Sequence, residues 1–275
     1  VNGNLNYSMY DGTDWTISVI DTSSGAYSAL VVDSMDNIHV AYSDTKNHKL
    51  KYAYYDGVSW TITVVGDAIP DKGVIACLFA HCPTGAFDNS FSIAVDSNDN
   101  PHISYFNRNP GGVPANSAEI LYSKFDGASW TTVSVDSTHV NRNGGFSDIA
   151  VDSIGGVHIT WAGLNPTFNG WSVRYAHFDG TSWTKNVVDN KGYYSSIAVD
   201  SNDNPRIAYS KTHTGGDLMQ ARLVQNVWQS TTVALSNWPV QAMHTSIIID
   251  DQDRSHIAST LYRKEAGYSK SDYGL

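Results

Sequence analysis

The amino-acid sequence predicts an all-β protein built from a repeated unit of about fifty residues. Three observations support this fold class. The 275 residues include 16 Tyr, 8 Trp and 22 Gly but only two Glu, which is a composition of strands and turns. No stretch shows the three-and-four spacing of apolar residues that indicates helix. Two short signatures also alternate along the chain.

The first signature predicts a pair of strands joined by a turn. SIAVDSNDNPHISY stands at 92–105 and SIAVDSNDNPRIAY at 196–209, with degenerate copies at 29–42, 148–161 and 246–259. Ile93, Ala94 and Val95 are consecutive apolar residues, as expected of a strand with both faces covered. We name this strand A and the following run, PHISY, strand B.

The second signature predicts two further strands. YDGTDWT, YDGVSWT, FDGASWT and FDGTSWT begin at residues 10, 55, 125 and 178, and a weakened copy, VQNVWQS, begins at 224. Each follows a strand-like run (strand C) and begins another (strand D). Asp-Gly suits the tight turn between them, because Gly accepts a positive φ and Asp bonds nearby main-chain N–H groups.

Four antiparallel strands per unit with a fixed Trp are typical of a β-propeller blade. Five copies of strands A, B and D predict five four-stranded blades, and we expect residues 1–275 to form a single propeller domain. The chain opens with strands C and D and closes with A and B, so one blade made from both termini would close the ring. A sixth C-like run, AGYSKSDYG at 266–274, is surplus to this count.

The repeats resemble those of secreted and cell-surface proteins of bacteria and archaea with the pattern SIAVDSxxNPHISY followed by DGxSWT. The resemblance covers nearly the whole chain and implies a β-propeller. The C–D turn also resembles the Asp-box of sialidases, although it lacks the residue between Asp and Gly. In families that carry it, that box is structural.

Charge and cysteine usage restrict the partners and the compartment. The formal net charge is −10 and the basic residues are scattered, so nucleic acid is not an expected partner. No apolar run is long enough to insert in a membrane as a helix, and Val1 begins without a signal-peptide pattern. Cys77 and Cys82 favour a disulfide over free thiols, which predicts an extracellular or cell-surface location.

The repeated polar residues are interpreted as scaffold. Trp60, Trp130 and Trp183 recur too regularly for a single ligand site. The Asp residues of the A–B turns suit side-chain-bonded turns better than calcium, because no copy has a downstream bidentate Glu. Histidine begins strand B in four copies and Arg206 in the fifth, so these positions predict polar core contacts. No metal and no cofactor is predicted.

Function is expected on the face where the repeats differ. The A–B and C–D turns are nearly constant, whereas the B–C and D–A connections vary in length and emerge on the opposite face. Aromatic and polar residues outside the repeat there suit the stacking and hydrogen bonding of sugar rings. The candidate ligand-binding residues are Trp161, Phe168, Trp171, Tyr193, Tyr194, Trp238 and Arg142. The alternative is that these aromatics only pin long loops onto the ring.

The sequence therefore favours a non-enzymatic binding module that recognises glycans or a cell-surface protein partner. One alternative is a glycoside hydrolase, for which the candidate carboxylates are Asp148, Asp88 and Glu119. Another is a filament or surface-layer subunit that associates with copies of itself through the surplus terminal strand. A capping role for that strand in its own last blade is the simpler interpretation.

Overall fold

The structure is a computed structural model that describes residues 3–24, 27–44, 46–47, 49–67, 91–108, 118–137, 145–165, 170–212, 216–235 and 240–263. These residues form twenty β-strands and no helix. Within the described ranges there is accordingly no helix with the length and apolar character needed to cross a membrane. The predicted all-β class is confirmed.

The twenty strands follow the repeated order C, D, A, B from the first residue onward. The A strands are β3 (Ser28–Val32), β7 (Phe91–Val95), β11 (Gly145–Val151), β15 (Tyr193–Val199) and β19 (Val240–Ile249). The B strands are β4 (Ile38–Asp44), β8 (Pro101–Arg108), β12 (Val157–Asn165), β16 (Pro205–Ser210) and β20 (Ser255–Arg263). The C strands are β1 (Gly3–Tyr10), β5 (Lys49–Tyr55), β9 (Ala118–Phe125), β13 (Gly170–Phe178) and β17 (Leu218–Val224). The D strands are β2 (Trp15–Ser24), β6 (Trp60–Asp67), β10 (Trp130–Asp136), β14 (Trp183–Asp189) and β18 (Val227–Ala234).

Sheet topology matches the predicted blade in four places. β3–β6, β7–β10, β11–β14 and β15–β18 each form a four-stranded antiparallel sheet in chain order. At the ends of the described chain, β1–β2 and β19–β20 form separate two-stranded sheets. The predicted closing blade is therefore not observed among the described strands. The surplus run at 266–274 lies outside the described residues, so its role stays a prediction.

The chain divides into two compact units, Val1–Gly145 and Phe146–Leu275. The first contains β1–β10 and the second contains β12–β20 with nearly all of β11. Each unit has its own apolar core between neighbouring sheets. In the first, Leu50, Ile93 and Ile103 are buried together, and in the second, Val173, Ile197 and Ile207 are.

The A–B turns are bonded by their first aspartate, as predicted. In the turn between β3 and β4, Asp33 Oδ1 accepts the main-chain N–H groups of Met35 and Asn37 at 2.9 and 2.8 Å. Asp36 has a φ of 63°, a left-handed conformation that Asp tolerates better than most residues. Asp99 takes the same conformation one sheet later, and its carboxylate accepts the N–H and hydroxyl of Ser34 at 2.9 and 2.7 Å. The turn carboxylates therefore join neighbouring sheets as well as closing their own turns.

Within each unit, recurring Trp residues of strand D join their sheet to the preceding one, which supports their interpretation as scaffold. Trp130 packs edge-to-face on Tyr52 with ring centroids 5.1 Å apart, and its Nε1 donates to Thr63 Oγ1 at 3.1 Å. Trp228 packs on Tyr175 in the same way at 4.9 Å. Such edge-to-face pairs add about 0.5–1.5 kcal/mol to the burial of the rings.

Three of the four histidines of strand B belong to buried polar networks, as predicted, whereas His256 in β20 is exposed. His102 Nε2 lies 3.2 Å from Asp96 Oδ2, and its Nδ1 lies 2.7 Å from the Tyr122 hydroxyl. His39 and His158 have the same two kinds of partner. Because an ionised carboxylate only accepts, Nε2 carries the proton and Nδ1 accepts from the tyrosine hydroxyl. Each network satisfies polar groups that burial would otherwise leave unpaired.

Lowering the pH from about 7 to about 5 is expected to reduce the free energy of unfolding. Burial lowers the pKa of His102 and of His158 below the ordinary value, although Asp96 and Asp152 act in the opposite direction. As the pH falls through about 6.5, these two imidazoles therefore become protonated in the unfolded chain while they stay neutral in the folded chain. The penalty is absent above that pH and grows as the pH falls toward the folded-state pKa.

Urea unfolding at a series of pH values measures this effect. A His102→Gln variant should lose less stability between pH 7 and pH 5 than the original chain. An equal loss in both proteins would contradict the role given to His102.

Candidate functional site

An aromatic cluster in the second unit brings together residues from three successive sheets. It consists of Phe146, Trp171, Tyr193, Tyr194 and His244. Phe146 and Trp171 are the second residues of β11 and β13. Tyr193 and Tyr194 are the first two residues of β15, and His244 lies in β19. All but Trp171 lie in the first half of an A strand, which is the end reached by the variable D–A connections.

The rings of the cluster are in mutual edge contact. Phe146 lies 4.9 Å from Tyr193 and 4.7 Å from Tyr194, centroid to centroid, at steep interplanar angles. Trp171 packs on Tyr193 at 5.3 Å, and Tyr194 contacts the His244 imidazole at 4.4 Å. These separations are within the range in which aromatic pairs attract each other. The five rings are therefore linked by direct contacts into one cluster.

Three members share an unusual backbone conformation. Phe146, Tyr194 and His244 have φ values of 54°, 53° and 45°. Left-handed φ is rare for bulky residues and tends to occur at functional positions. The ladder registers of β15 and β19 are shifted at Tyr194 and His244, as in a β-bulge. A bulge bends its strand and redirects a side chain, which here turns rings from different sheets toward each other.

Close packing around Gly192 fixes the backbone next to Tyr193. A Cβ atom at Gly192 would lie 2.5 Å from Val173 Cγ2 and 2.7 Å from Tyr209 Cδ2, so only glycine fits there. The Gly192 N–H donates to the Trp171 carbonyl at 3.1 Å, which sets Tyr193 beside Trp171. At the other side of Tyr194, the Thr245 hydroxyl donates to its carbonyl oxygen.

The five side chains of the cluster differ in solvent exposure. Phe146 and Tyr193 are buried, Trp171 and Tyr194 are half-buried, and His244 is exposed. Two half-buried aromatic side chains and an exposed imidazole are thus partly accessible in the same cluster. Chemically, this arrangement can stack on the apolar face of a ring and hydrogen-bond its hydroxyl groups.

Trp161, predicted as a ligand-binding residue, lies in the core of β12 with 1% of its surface exposed. Its register position is that of Tyr42, Tyr105 and Tyr209, which are buried in the other B strands. A side chain without exposed surface has no face to offer a ligand. We therefore leave Trp161 out of the candidate site.

The predicted carboxylates have structural partners where the structure describes them. Asp148 Oδ2 accepts the Ile197 N–H at 2.8 Å, and Oδ1 accepts the Ile149 N–H at 3.0 Å, which ties β11 to β15. Glu119 belongs to the first unit and accepts the Asn107 side-chain amide at 3.4 Å.

Several predicted residues lie outside the described part of the chain. They are Phe168, Trp238, Arg142, Asp88, Cys77 and Cys82. The ligand-binding roles of Phe168, Trp238 and Arg142 and the disulfide therefore stay predictions.

Sequence reasoning missed Phe146 and His244. Each stands six residues before the aspartate that follows strand A, at the repeat position of Tyr194. The signal was therefore present in the repeat alignment as three aromatic rings at one position in three consecutive units. These three positions lie in the first halves of strands and not in the connections, whose differences in length predict the functional face.

Comparison with known proteins identifies the fold. No protein-family model and no curated protein sequence matches the chain. Among solved structures, the SapL1 lectin in complex with alpha methyl fucoside is 16% identical with a TM-score of 0.56, over 97% of this chain and 87% of the lectin. The Aleuria aurantia lectin with Fucalpha1-6GlcNAc is 14% identical with a TM-score of 0.52, over 89% of this chain and 79% of that chain.

An enzyme has a similar structure. The alpha-L-arabinofuranosidase from Lactobacillus brevis is 10% identical with a TM-score of 0.51, over 87% of this chain and 85% of that chain. At such low identity these likenesses bear on the fold alone. The chain is an all-β protein of four-stranded antiparallel sheets with a fold of the β-propeller kind found in these lectins.

Proposed function

We propose that this protein is an extracellular, five-bladed β-propeller that binds glycans without cleaving them, through the aromatic cluster of its second unit. The observation that carries the proposal is the joint exposure of Trp171, Tyr194 and His244 on a base of buried rings. The five copies of each strand type support the count of five blades. The closing blade would then combine β1–β2 with β19–β20.

The strained backbone supports a ligand site over simple packing. Loops can be pinned by aromatic residues in ordinary strand conformation, and such pinning gives no reason for left-handed φ at three bulky residues. Strain of this kind costs on the order of 1–3 kcal/mol per residue and persists where the surrounding structure enforces it. A preformed aromatic surface loses little conformational entropy when a sugar binds, which favours affinity.

The similar structures suggest the first sugars to test. Two are lectins solved with fucose-containing ligands, and one is an arabinofuranosidase. The carboxylate of Asp148 is engaged by two main-chain N–H groups, which supports a structural use of that residue over a catalytic one. Fucosides are therefore the first binding probes, and an arabinofuranoside is the first substrate probe.

A glycan-array screen of the purified protein tests the proposal, with alpha methyl fucoside as a soluble competitor. We expect binding to a restricted set of glycans and a loss of roughly 5- to 150-fold in a Tyr194→Asn variant. Removing an aromatic ring on which a nucleic-acid base stacks costs about 1–3 kcal/mol of binding free energy, and we expect a similar cost for a stacked sugar. Asn is chosen because it tolerates the left-handed φ of this position.

The matched control is Trp183→Ala, which removes a half-buried aromatic at the C–D turn end of the same unit. Its glycan binding should equal that of the original chain. Absence of binding to any glycan, or equal losses in both variants, would overturn the proposed site. Release of arabinose from a chromogenic arabinofuranoside would overturn the non-enzymatic part.

A further inference from the structure

One of the buried histidine networks contains a second histidine. His177 lies on β13 directly opposite His158 on β12. Its Nε2 is 4.0 Å from Asp152 Oδ2, while His158 Nε2 is 3.1 Å from the same oxygen. The two imidazole rings stack with centroids 4.5 Å apart and 24° between their planes.

The other sheets have different residues at the position of His177. Tyr54 faces His39, Lys124 faces His102, and Arg222 faces Arg206 across the same strand pair. Lys124 provides a positive charge, and its Nζ bonds Asp96 Oδ2 at 3.2 Å. His177 is therefore the one change at this position, among the described copies, that adds a metal-binding side chain.

A second residue near Asp152 also differs from its counterparts in the other repeats. Asn37 and Asn100 donate their side-chain amides to the turn aspartate of their own sheets. Gly156 replaces this asparagine beside Asp152. A Cβ there would lie 2.3 Å from Asp152 Oδ2 and 3.0 Å from His177 Nε2. Asp152 Oδ2 thus has no amide partner of this kind, and the nitrogen atoms beside it are His158 Nε2 at 3.1 Å and His177 Nε2 at 4.0 Å.

We propose that Asp152, His158 and His177 bind a divalent transition-metal ion, with Zn²⁺ as the best match to the donor set. Two imidazole nitrogens and one carboxylate oxygen are a common zinc donor set with a fourth position open to solvent. One donor atom from each residue lies within 4.8 Å of the others. Tetrahedral zinc with bonds of about 2.0–2.1 Å needs donors roughly 3.3 Å apart, so the site closes by a small movement.

His177 is the residue that moves. Its side chain is 31% exposed, whereas those of His158 and Asp152 are 4% and 5% exposed. Rotation of His177 about its side-chain bonds takes its ring out of the stack and directs Nε2 toward the carboxylate. The same exposure gives the ion a route from solvent.

His158 is already oriented for coordination. The Tyr175 hydroxyl lies 2.7 Å from its Nδ1 and fixes the ring. With metal on Nε2, Nδ1 is protonated and donates to that hydroxyl, an outer hydrogen bond typical of histidine ligands.

Calorimetric titration with ZnCl2 tests the proposal in the original chain and in a His177→Lys variant. Lysine stands at this position in β9, so the variant keeps a residue the repeat accommodates. We expect the variant to lose one zinc site or to bind zinc more than about 10-fold more weakly, because the loss of even an outer-shell partner costs about 10–100-fold. Zinc should also raise the thermal unfolding midpoint of the original chain more than that of the variant.

The matched control is His256→Lys, which removes an exposed histidine 2.8 Å from Asp250 Oδ2. This variant should titrate like the original chain. The proposal is overturned if the original chain binds no zinc, if His177→Lys titrates identically, or if His256→Lys alone removes the site.

Discussion

Replacing Trp161 by alanine is expected to lower the free energy of unfolding by about 3–5 kcal/mol, the range for large aromatic residues in cores. Trp161 is the largest fully buried side chain described, and its neighbours on β12 are buried as well. The loss combines the transfer of the indole to water with the cavity left behind. Urea unfolding followed by circular dichroism measures it.

The comparison variant is Trp171→Ala, which removes a half-buried ring of the aromatic cluster. We expect it to weaken glycan binding and to destabilise the fold less than Trp161→Ala does. If Trp161→Ala left stability unchanged and removed only binding, its assignment to the core would be wrong.

Replacing Asp96 by alanine is expected to lower the free energy of unfolding by about 1–3 kcal/mol for each buried donor that is left without an acceptor. Asp96 accepts from the main chain of Asn98 and Asn100 and bonds His102 and Lys124. Its side chain is 4% exposed. Removal therefore leaves His102 buried without its acceptor and two turn N–H groups unpaired. Thermal and urea unfolding of the variant measure the loss.

Asp250 provides the matched control, because it makes the same turn contacts in β19–β20 with partners in solvent. Arg254 and His256 are 64% and 54% exposed. Asp250→Ala should therefore destabilise clearly less than Asp96→Ala, since water replaces the lost partner. Equal losses in the free energy of unfolding would show that burial of the network does not determine the contribution of Asp96 to stability.

Much of the fold could be predicted from the sequence because each repeat serves as a control for the others. The Asp-Gly dipeptides predicted C–D turns, and Gly57 and Gly127 have the required φ of 87° and 92°. The recurring Trp is assigned to the scaffold because a single ligand site cannot account for a Trp in every repeat. Its packing on the preceding sheet gives the physical reason for that recurrence.

The candidate site was predictable only in part. Trp171, Tyr193 and Tyr194 were identified as aromatic residues outside the repeat, and the structure brings them together. Trp161 was misplaced because it was compared with the Trp of strand D and not with the Tyr of its own strand. Indole and phenol fill the same core position, so the change of residue type did not indicate a change of role.

The part that sequence reasoning could not supply is the backbone geometry. Left-handed φ at Phe146, Tyr194 and His244 violates the ordinary preference of such residues, so no local rule predicts it. The metal-binding proposal also depends on the structure. His177 and Gly156 are separated in the sequence, and only the pairing of their strands shows that they are neighbours.

The most direct test of the central claim is a crystal structure of the protein with the sugar that binds most strongly on the array. The account predicts a sugar ring stacked on Tyr194 or Trp171, with a hydroxyl group within hydrogen-bond distance of His244. A sugar bound elsewhere, with the aromatic cluster covered by the protein's own connections, would contradict it.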